Sequence, residues 1–189
     1  MSKSIYKSQN YLEADLILRN EGTLFNYYDE LDGFYLLNAS IKRVIPDATQ
    51  TKVYYDLESP YGYGGFETNI TDKTMLHSFL DRYKKACLNE GIVAEFFRNN
   101  PLNSFALNNR ALFDFYCVER ETVVVELQTD FKSHYTSSLK RNIKKAKSHD
   151  LSVIQVDLNE YAHQFFTLYT KTMVKNDAAD FYFFSEAYF

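Results

Sequence analysis

The sequence predicts an α/β fold of the α+β type, in which helices flank a mixed β-sheet. Residues 34–37 form an unbroken apolar run, which is typical of a strand covered on both faces. A predicted helix is followed at Gly91 by a strand with almost no intervening loop, as in an α/β unit. Residues 113–118 and 122–127 have the pattern of an antiparallel hairpin. An α/β unit implies parallel pairing and a hairpin implies antiparallel pairing, so we expect a mixed sheet.

The first third of the chain is expected to contain strands. Residues 16–19 and 33–44 are predicted to be strands that flank a polar turn at residues 20–23. Residues 53–55 have the composition of the end of another strand, and Pro60 then closes off regular structure.

A long amphipathic helix is predicted after these strands. Thr71 or Asp72 is a suitable N-cap, and Gly91 provides the C-terminal stop. Apolar residues recur between them at helical spacing: Met75, Leu76, Phe79, Leu80, Tyr83, Ala86 and Cys87. Residues 92–97 then form the next strand.

The last third is expected to add another strand and helix. Residues 151–156 have a strand composition, and Asp157 to Glu160 form a capping-box pattern for a helix that ends near Lys175. Ser185 has the character of an N-cap with only four residues after it, so we expect the chain to stop inside an element.

Composition limits the class of protein. The chain has 189 residues, of which 46% are hydrophobic and 24% are charged, as expected of one globular domain or two small lobes. No leader pattern and no run of roughly 20 apolar residues is present, so we predict a cytoplasmic protein without a transmembrane segment. Cys87 and Cys117 have no metal-site or C-x-x-C spacing, which favours reduced thiols and no metal.

Half of the six glycines lie in one stretch, residues 53–66, which reads VYYDLESPYGYGGF. Gly62, Gly64 and Gly65 permit backbone angles or close approaches that a Cβ would forbid. One interpretation is a turn or bulge held by stacked tyrosines. The other is a loop that lets a ligand approach the main chain.

A basic segment begins at Phe131. Residues 131–149 carry a charge of +6 and no acidic residue, whereas the whole chain has a charge of −4. Five apolar residues are spaced as one helical stripe: Phe131, Tyr135, Leu139, Ile143 and Ala146. The cations form either a solvated helix surface or a site for an anion such as phosphate. A pI of 5.6 and the lack of nucleic-acid-binding motifs argue against a nucleic acid footprint.

Several blocks together resemble the FemAB-like branch of the GNAT (acyl-CoA N-acyltransferase) superfamily. They are DLESPYGYGG at residues 56–65, VAEFFR with PL at residues 93–102, LKRNIKKA at residues 139–146, LYTKTM at residues 168–173 and FYFF at residues 181–184. The resemblance implies a GNAT-like mixed sheet flanked by helices and usually two lobes in tandem. Residues 1–130 then form the first lobe, and residues 131–189 form the basic helix and the beginning of a second, truncated GNAT-like lobe.

Two departures from the family pattern bear on the donor. Asn99 and Asn100 stand where an aromatic residue and a histidine are expected before Pro101. The R/Q-x-x-G-x-G/A turn that holds the CoA pyrophosphate in ordinary GNAT enzymes is also missing from the sequence. Acetyl-CoA or another acyl donor is therefore expected from the resemblance only.

The resemblance implies transfer of an acyl or aminoacyl group to an amine of an amino sugar, sugar nucleotide or peptidoglycan-type precursor, in cell-envelope or polysaccharide biosynthesis. Tyr61 or Tyr63 could donate a proton to the leaving group, and Asp56 or Glu58 could accept one. The candidate substrate-binding residues are Gly62, Gly64, Gly65, Arg98, Lys140, Arg141, Lys144 and Lys145. The four histidines have no catalytic spacing.

Other interpretations stay open. The chain could be a non-catalytic anion-binding or interaction module that uses the basic helix, or an inactive fragment of a longer acyltransferase. A small-molecule or lipid-linked sugar is the expected substrate. The aromatic C-terminus also predicts self-association, through Phe181, Tyr182, Phe183, Phe184, Tyr188 and Phe189.

Overall fold

The computed structural model describes residues 4–46, 52–127, 130–149 and 151–189. These residues form two compact units. The first contains the chain up to Tyr116 together with Thr170–Phe189, and the second is Cys117–Tyr169. The two predicted lobes, residues 1–130 and 131–189, stay a prediction, because compactness alone does not say which segments form one lobe.

The first unit is built on a mixed sheet. Its strands are β1 (Thr23–Leu31), β2 (Phe34–Val44), β3 (Tyr55–Glu58), β4 (Glu67–Thr68) and β5 (Ile92–Phe96). The order is β1-β2-β3-β5, and β4 pairs with another part of β2. The β1, β3 and β4 strands pair antiparallel with β2, while β3 and β5 are parallel. A mixed sheet flanked by helices is thus confirmed.

Two helices of the first unit have clear sequence signals at their ends. Helix α1 (Gln9–Arg19) follows Ser8, whose side chain accepts a hydrogen bond from Tyr11 N, and ends at the left-handed Asn20. Helix α2 (Lys73–Asn89) begins after Asp72, whose Oδ1 accepts from Met75 N at 2.8 Å. The predicted helix is therefore confirmed, with Asp72 as its N-cap.

Strand β2 is covered on both faces, as its apolar run predicted. Every residue from Leu36 to Ile41 is buried. Leu36 belongs to the larger core, which includes the apolar face of α2, whereas Ala39 and Ile41 pack with Leu12 of α1 in a second core. Successive side chains of a strand point to opposite faces, so α1 and α2 cover opposite sides of the sheet.

Two predictions for the first third of the chain were wrong, and one strand was missed. Residues 16–19 are the last turn of α1 and not a strand, because a four-residue apolar window does not distinguish the two periods and Leu12 and Asp15 complete a buried helical face. Strand β1 had no sequence prediction; it is an edge strand whose outward side chains are exposed. Tyr55 begins β3 and does not end a strand.

The predicted hairpin at residues 113–118 and 122–127 is not formed, and residues 151–156 are not a strand. Their apolar side chains are exposed: Phe115 is 82% exposed, Val123 is 91% exposed and Val153 is fully exposed. Strand propensity is realised when side chains pack on a half-buried pleated surface, and these segments have no ladder partner among the described residues. The sheet is mixed without this hairpin, because β2 supplies antiparallel pairs and β3 pairs parallel with β5.

Shorter helices complete the first unit. Helix α3 (Phe105–Asn108) follows β5, and 3₁₀ turns occur at Ile5–Lys7, Arg110–Leu112, Asp180–Tyr182 and Glu186–Tyr188. Ser185 precedes the last of these turns, and its side chain makes no capping hydrogen bond.

The second unit contains the basic helix. Helix α4 (Ser137–Lys147) is capped by Thr136, and the preceding residues Phe131–His134 form a 3₁₀ turn, so the predicted stripe is interrupted before Leu139. Helix α5 (Leu158–Lys175) begins in this unit and matches its prediction, and Asp157 Oδ1 accepts from Asn159 N at 2.8 Å. Among the described residues, no helix is both long and apolar enough to span a membrane.

Candidate functional site

The glycine loop, residues 59–66, lies at the carboxyl end of the two parallel strands. It leaves β3 after Glu58 and returns as β4, while residues 97–101 follow β5 at the same edge. Gly64 N donates to Arg98 O at 2.7 Å, and Arg98 N donates to Ser59 Oγ at 3.0 Å. The carboxyl edge of parallel strands is a common position for ligand sites in open sheets.

Helix α1 holds the start of this loop with three side chains spaced four residues apart. Tyr11 Oη donates to Tyr61 O at 2.7 Å, and Tyr61 N donates to Asp15 Oδ1 at 3.0 Å. Arg19 donates to Ser59 O at 3.3 Å. Residues at this spacing share one helix face. The backbone N–H and carbonyl oxygen of Tyr61 therefore both bind side chains of α1, and this fixes the main chain of the loop.

A chain of ion pairs continues from this anchor to β2 and β3. Asp15 pairs with Arg19 at 2.7 Å, and Arg19 pairs with Glu58 at 2.7 Å. Arg43 contacts Glu58 at 2.6 Å and binds both carboxylate oxygens of Asp56, at 2.9 and 3.0 Å. Asp56 and Glu58, the predicted proton acceptors, are thus both occupied in ion pairs. Asp56 joins β3 to β2, and Glu58 joins β3 to β2 and to α1.

The two tyrosines that were predicted to be proton donors are half-buried in aromatic contacts. The ring of Tyr61 lies 5.7 Å from that of Phe181 and 5.4 Å from that of Phe184. The ring of Tyr63 meets Tyr6 edge-on at 5.4 Å. Phe184 is only 8% exposed, whereas Phe181 is 51% exposed. Self-association through the aromatic C-terminus stays a prediction, with Phe184 already packed inside the unit.

The glycines of the loop are in close contact with the chain itself. A Cβ on Gly64 would lie 2.3 Å from Ser59 Oγ and 2.8 Å from Ser59 Cβ. Gly65 has φ +93°, and a Cβ there would lie 2.5 Å from Asn99 Oδ1. Gly64 is buried against Ser59 and has no open side. These contacts support the turn interpretation, and close approach of a ligand stays a prediction.

A polar cluster lies on the α2 face of the sheet, near the same edge. Asn38 Nδ2 and Ser40 Oγ, both from β2, donate to Glu95 Oε1 at 2.7 and 3.0 Å. Tyr83 Oη from α2 donates to Glu95 Oε2 at 2.5 Å and accepts from Asn38 Nδ2 at 2.8 Å. Three side chains, two from β2 and one from α2, therefore converge on one carboxylate of β5.

Burial changes the acid–base properties of this cluster. It raises the pKa of Glu95, although the three donors act in the opposite direction. Burial and the neighbouring Glu95 raise the pKa of Tyr83, so this phenol remains a hydrogen-bond donor. Asn38 is fully buried, and its Oδ1 has no hydrogen-bond partner among the described residues. Such an unpaired acceptor costs about 1–3 kcal/mol.

The N-terminal segment crosses the glycine loop. Ser4 N donates to Glu67 Oε1 at 3.3 Å, and the Lys7 ammonium donates to Gly65 O. Burial lowers the pKa of Lys7 to about 8, against the opposing effects of Glu67 and Glu95. The cluster thus combines a carboxyl that binds protons more readily than usual with an amine that releases them more readily.

The sequence offered a signal for part of this cluster. Glu95 is the one acidic residue in an otherwise apolar strand, and Asn38 and Ser40 follow the apolar run of β2. Polar residues inside buried strands are usually paired with one another. Lys7 had no such signal, because its partners lie 58 or more positions away in the sequence.

The remaining predicted residues lie in two places. The Arg98 side chain is exposed, and only its main chain contacts the glycine loop. In the second unit, Lys140, Arg141, Lys144 and Lys145 are all exposed on α4. None of them takes part in an ion pair within the described residues. A shallow depression on the second unit is lined by Asn142, Lys145, Ala146, His149 and Leu151.

Comparison of the chain with protein family models, curated proteins and solved structures gave no match. In the part of the chain that the structure describes, no three His, Cys, Asp or Glu side chains are grouped so that they could hold a metal ion.

Replacement of Asp15 by alanine should weaken the fold strongly. It leaves the half-buried Arg19 without one of its two carboxylate partners and Tyr61 N without an acceptor, which we expect to cost about 3 kcal/mol. Urea unfolding of Asp15→Ala measures this loss. Glu13→Ala, an exposed change on the same helix, should stay within about 0.5 kcal/mol. Equal midpoints for the two variants would contradict the anchoring role.

Gly64→Ala should be destabilising because of Ser59 in particular, by about 2 kcal/mol as for other overpacked sites. A double-mutant cycle isolates this contact: in a Ser59→Gly background the alanine should cost at least about 1 kcal/mol less. Thermal or urea unfolding of the four proteins provides the measurement. An unchanged cost in the Ser59→Gly background would show that the backbone, and not the Ser59 side chain, requires glycine.

Proposed function

We propose that the chain is a FemAB-like N-acyltransferase, which transfers an acyl or aminoacyl group to the amine of an amino sugar, sugar nucleotide or peptidoglycan-type precursor. The observation that carries the proposal is the placement of Glu95. Its carboxylate is held by Asn38, Ser40 and Tyr83 near the glycine loop, at the carboxyl edge of β3 and β5. Carboxyl groups with a raised pKa in such positions are candidate bases.

The reaction needs an acceptor amine that has lost its proton. Glu95 would take one proton from the acceptor nitrogen, and the nitrogen would then attack the carbonyl carbon of the acyl donor. The donor's leaving group departs as a thiolate or alkoxide and is protonated when the tetrahedral intermediate collapses. A base with a pKa nearer neutrality is better matched to this task than an ordinary exposed glutamate.

Other residues of the cluster have positioning roles in this proposal. Tyr83 and Asn38 fix the orientation of the Glu95 carboxylate through hydrogen bonds, and the unpaired Asn38 Oδ1 offers one further acceptor. Buried polar groups without a partner are tolerated where they serve a site. The resemblance of the sequence blocks and the mixed sheet flanked by helices agree with the proposal, and cell-envelope or polysaccharide biosynthesis is the process that the resemblance implies.

Glu95→Gln tests the role of the carboxylate. It keeps the size and much of the hydrogen bonding of the side chain but removes the base, so we expect at least a 100-fold loss of kcat, the usual contribution of a general base. Transfer is measured with acetyl-CoA and an aminoacyl-tRNA as donors, and with an amino sugar, a sugar nucleotide and a peptide amine as acceptors. Glu13→Gln is the matched carboxyl control, exposed on α1.

The pH profile separates catalysis from folding. In the wild type, kcat should rise as pH passes through the raised pKa of Glu95, because the ionised form is the base. Glu95→Gln should lose this rise while it unfolds cooperatively. Wild-type activity for Glu95→Gln would overturn the assignment of the base. No transfer by the wild-type chain with any donor and acceptor pair would overturn the proposed function.

A second candidate function is anion binding by the second unit. Four exposed cations of α4 lie within two helical turns and have no carboxylate partner among the described residues. A phosphate-bearing sugar or a lipid pyrophosphate has the complementary charge. This function could belong to a non-catalytic module or to a binding surface of the enzyme.

Replacement of Lys144 and Lys145 by glutamine should weaken such binding and reduce its salt dependence. Stability should change little, because exposed charges contribute little to it. Titration of a nucleotide sugar, a lipid-pyrophosphate analogue and CoA at two salt concentrations provides the measurement. Lys84 and Lys85, exposed on α2, supply the control pair. Equal affinities for both double variants and the wild type would show that α4 is only a solvated surface.

A further inference from the structure

We propose that Lys7 is itself an acylation site, and that the chain transfers an acyl group from a thioester donor to the Lys7 amine. This inference deepens the proposed function, because it takes the same donor class at the same edge of the sheet. Its starting point is geometric: the N-terminal segment brings a primary amine directly to the glycine loop.

Three contacts hold this segment in place across the loop. Ser4 N binds Glu67, the Tyr6 ring packs edge-on against Tyr63, and the Lys7 ammonium donates to Gly65 O. A Cβ on Gly62 would lie 2.8 Å from the ring of Tyr6, so the glycine permits this close approach. Lys7 as a residue is half-buried, and its contact with Gly65 O gives the amine nitrogen a fixed position at the loop.

The surroundings of the amine favour its neutral, nucleophilic form. With a pKa of about 8, Lys7 is about 9% neutral at pH 7, whereas an amine with the ordinary lysine value of 10.5 is about 0.03% neutral. The lower basicity also reduces intrinsic nucleophilicity, as it does for thiols, so we expect a net advantage of about tenfold. Among the described residues, the charges of Glu67 on β4 and Glu95 on β5 act on the amine and oppose the effect of burial on its pKa.

The step is balanced without a further reactant. Neutral Lys7 Nζ attacks the thioester carbonyl carbon, a C–N bond forms, and the C–S bond breaks. The nitrogen loses one proton, which Glu95 or Glu67 can accept, and the departing thiolate gains one. The products are an amide at Lys7 and a free thiol. Acylation also removes the ammonium charge, and with it the strong hydrogen bond to Gly65 O.

The experiment follows acyl incorporation into the folded wild-type chain. The protein is incubated at pH 7 with acetyl-CoA and, separately, with a small acetyl thioester that lacks the nucleotide, and acetylated lysines are quantified by peptide mass spectrometry over time. We expect Lys7 to be labelled at least tenfold faster than Lys84 and Lys85, the exposed lysines of α2. In denaturant the preference should disappear. It should also shrink above pH 8, where Lys7 gains little more neutral amine while ordinary lysines continue to gain it.

Two results would overturn the inference: labelling of Lys7 no faster than the two α2 lysines, or an equal preference in the unfolded chain. Lys7→Arg keeps the positive charge and a hydrogen-bond donor to Gly65 O. This variant should lose the fast labelling at position 7 and keep the slow labelling of the other lysines. This outcome is separable from the proposed function. Fast labelling of Lys7 without transfer to any added amine would support the acylation site and refute the acyltransferase.

Discussion

The hydrogen-bonded carboxylate of Glu95 is the constraint on which the interior of the first unit depends. It joins β2 through Asn38 and Ser40, α2 through Tyr83, and β5 through its own backbone. Burying a carboxylate is costly unless donors replace its water, and three donors do so here. The same burial raises its pKa, so the interaction that closes the core also prepares a proton acceptor.

On the opposite face of the sheet, a second network of ion pairs and hydrogen bonds has a structural role. Asp15 and Arg19 of α1 are tied to Ser59, Glu58 and Tyr61, so the helix, the strand and the glycine loop form one assembly. Charge on this face is paired and fixes geometry, whereas the cluster around Glu95 retains an unpaired acceptor, Asn38 Oδ1, and a carboxyl with a raised pKa. The side chains of α1 hold the glycine loop in place, and the loop lies near the Glu95 cluster.

The sequence predicted elements whose signals are local and strong. Helix α2 has a cap, a long apolar periodicity and a terminal glycine, and β2 has a continuous apolar run. Residues 16–19 and 113–127 were mispredicted because short apolar runs fit either period, and because a hairpin needs a surface on which to pack. The Glu95 cluster depends on pairs separated by 12 to 57 positions, so its members could be suspected singly but not assembled. Asp56 was chosen from the loop sequence, without knowledge that Arg43 lies opposite it in the neighbouring strand.

The most direct test of this account is the ionisation of Glu95 itself. A pH titration of the side-chain carboxyl carbons by NMR, with the Glu95 signal assigned by its loss in Glu95→Gln, gives the midpoint for this group. We expect a midpoint above the ordinary glutamate value of about 4.3, because burial outweighs the three donors. A midpoint at or below that value would contradict the account, since the cluster would then hold an ordinary structural carboxylate and not a base.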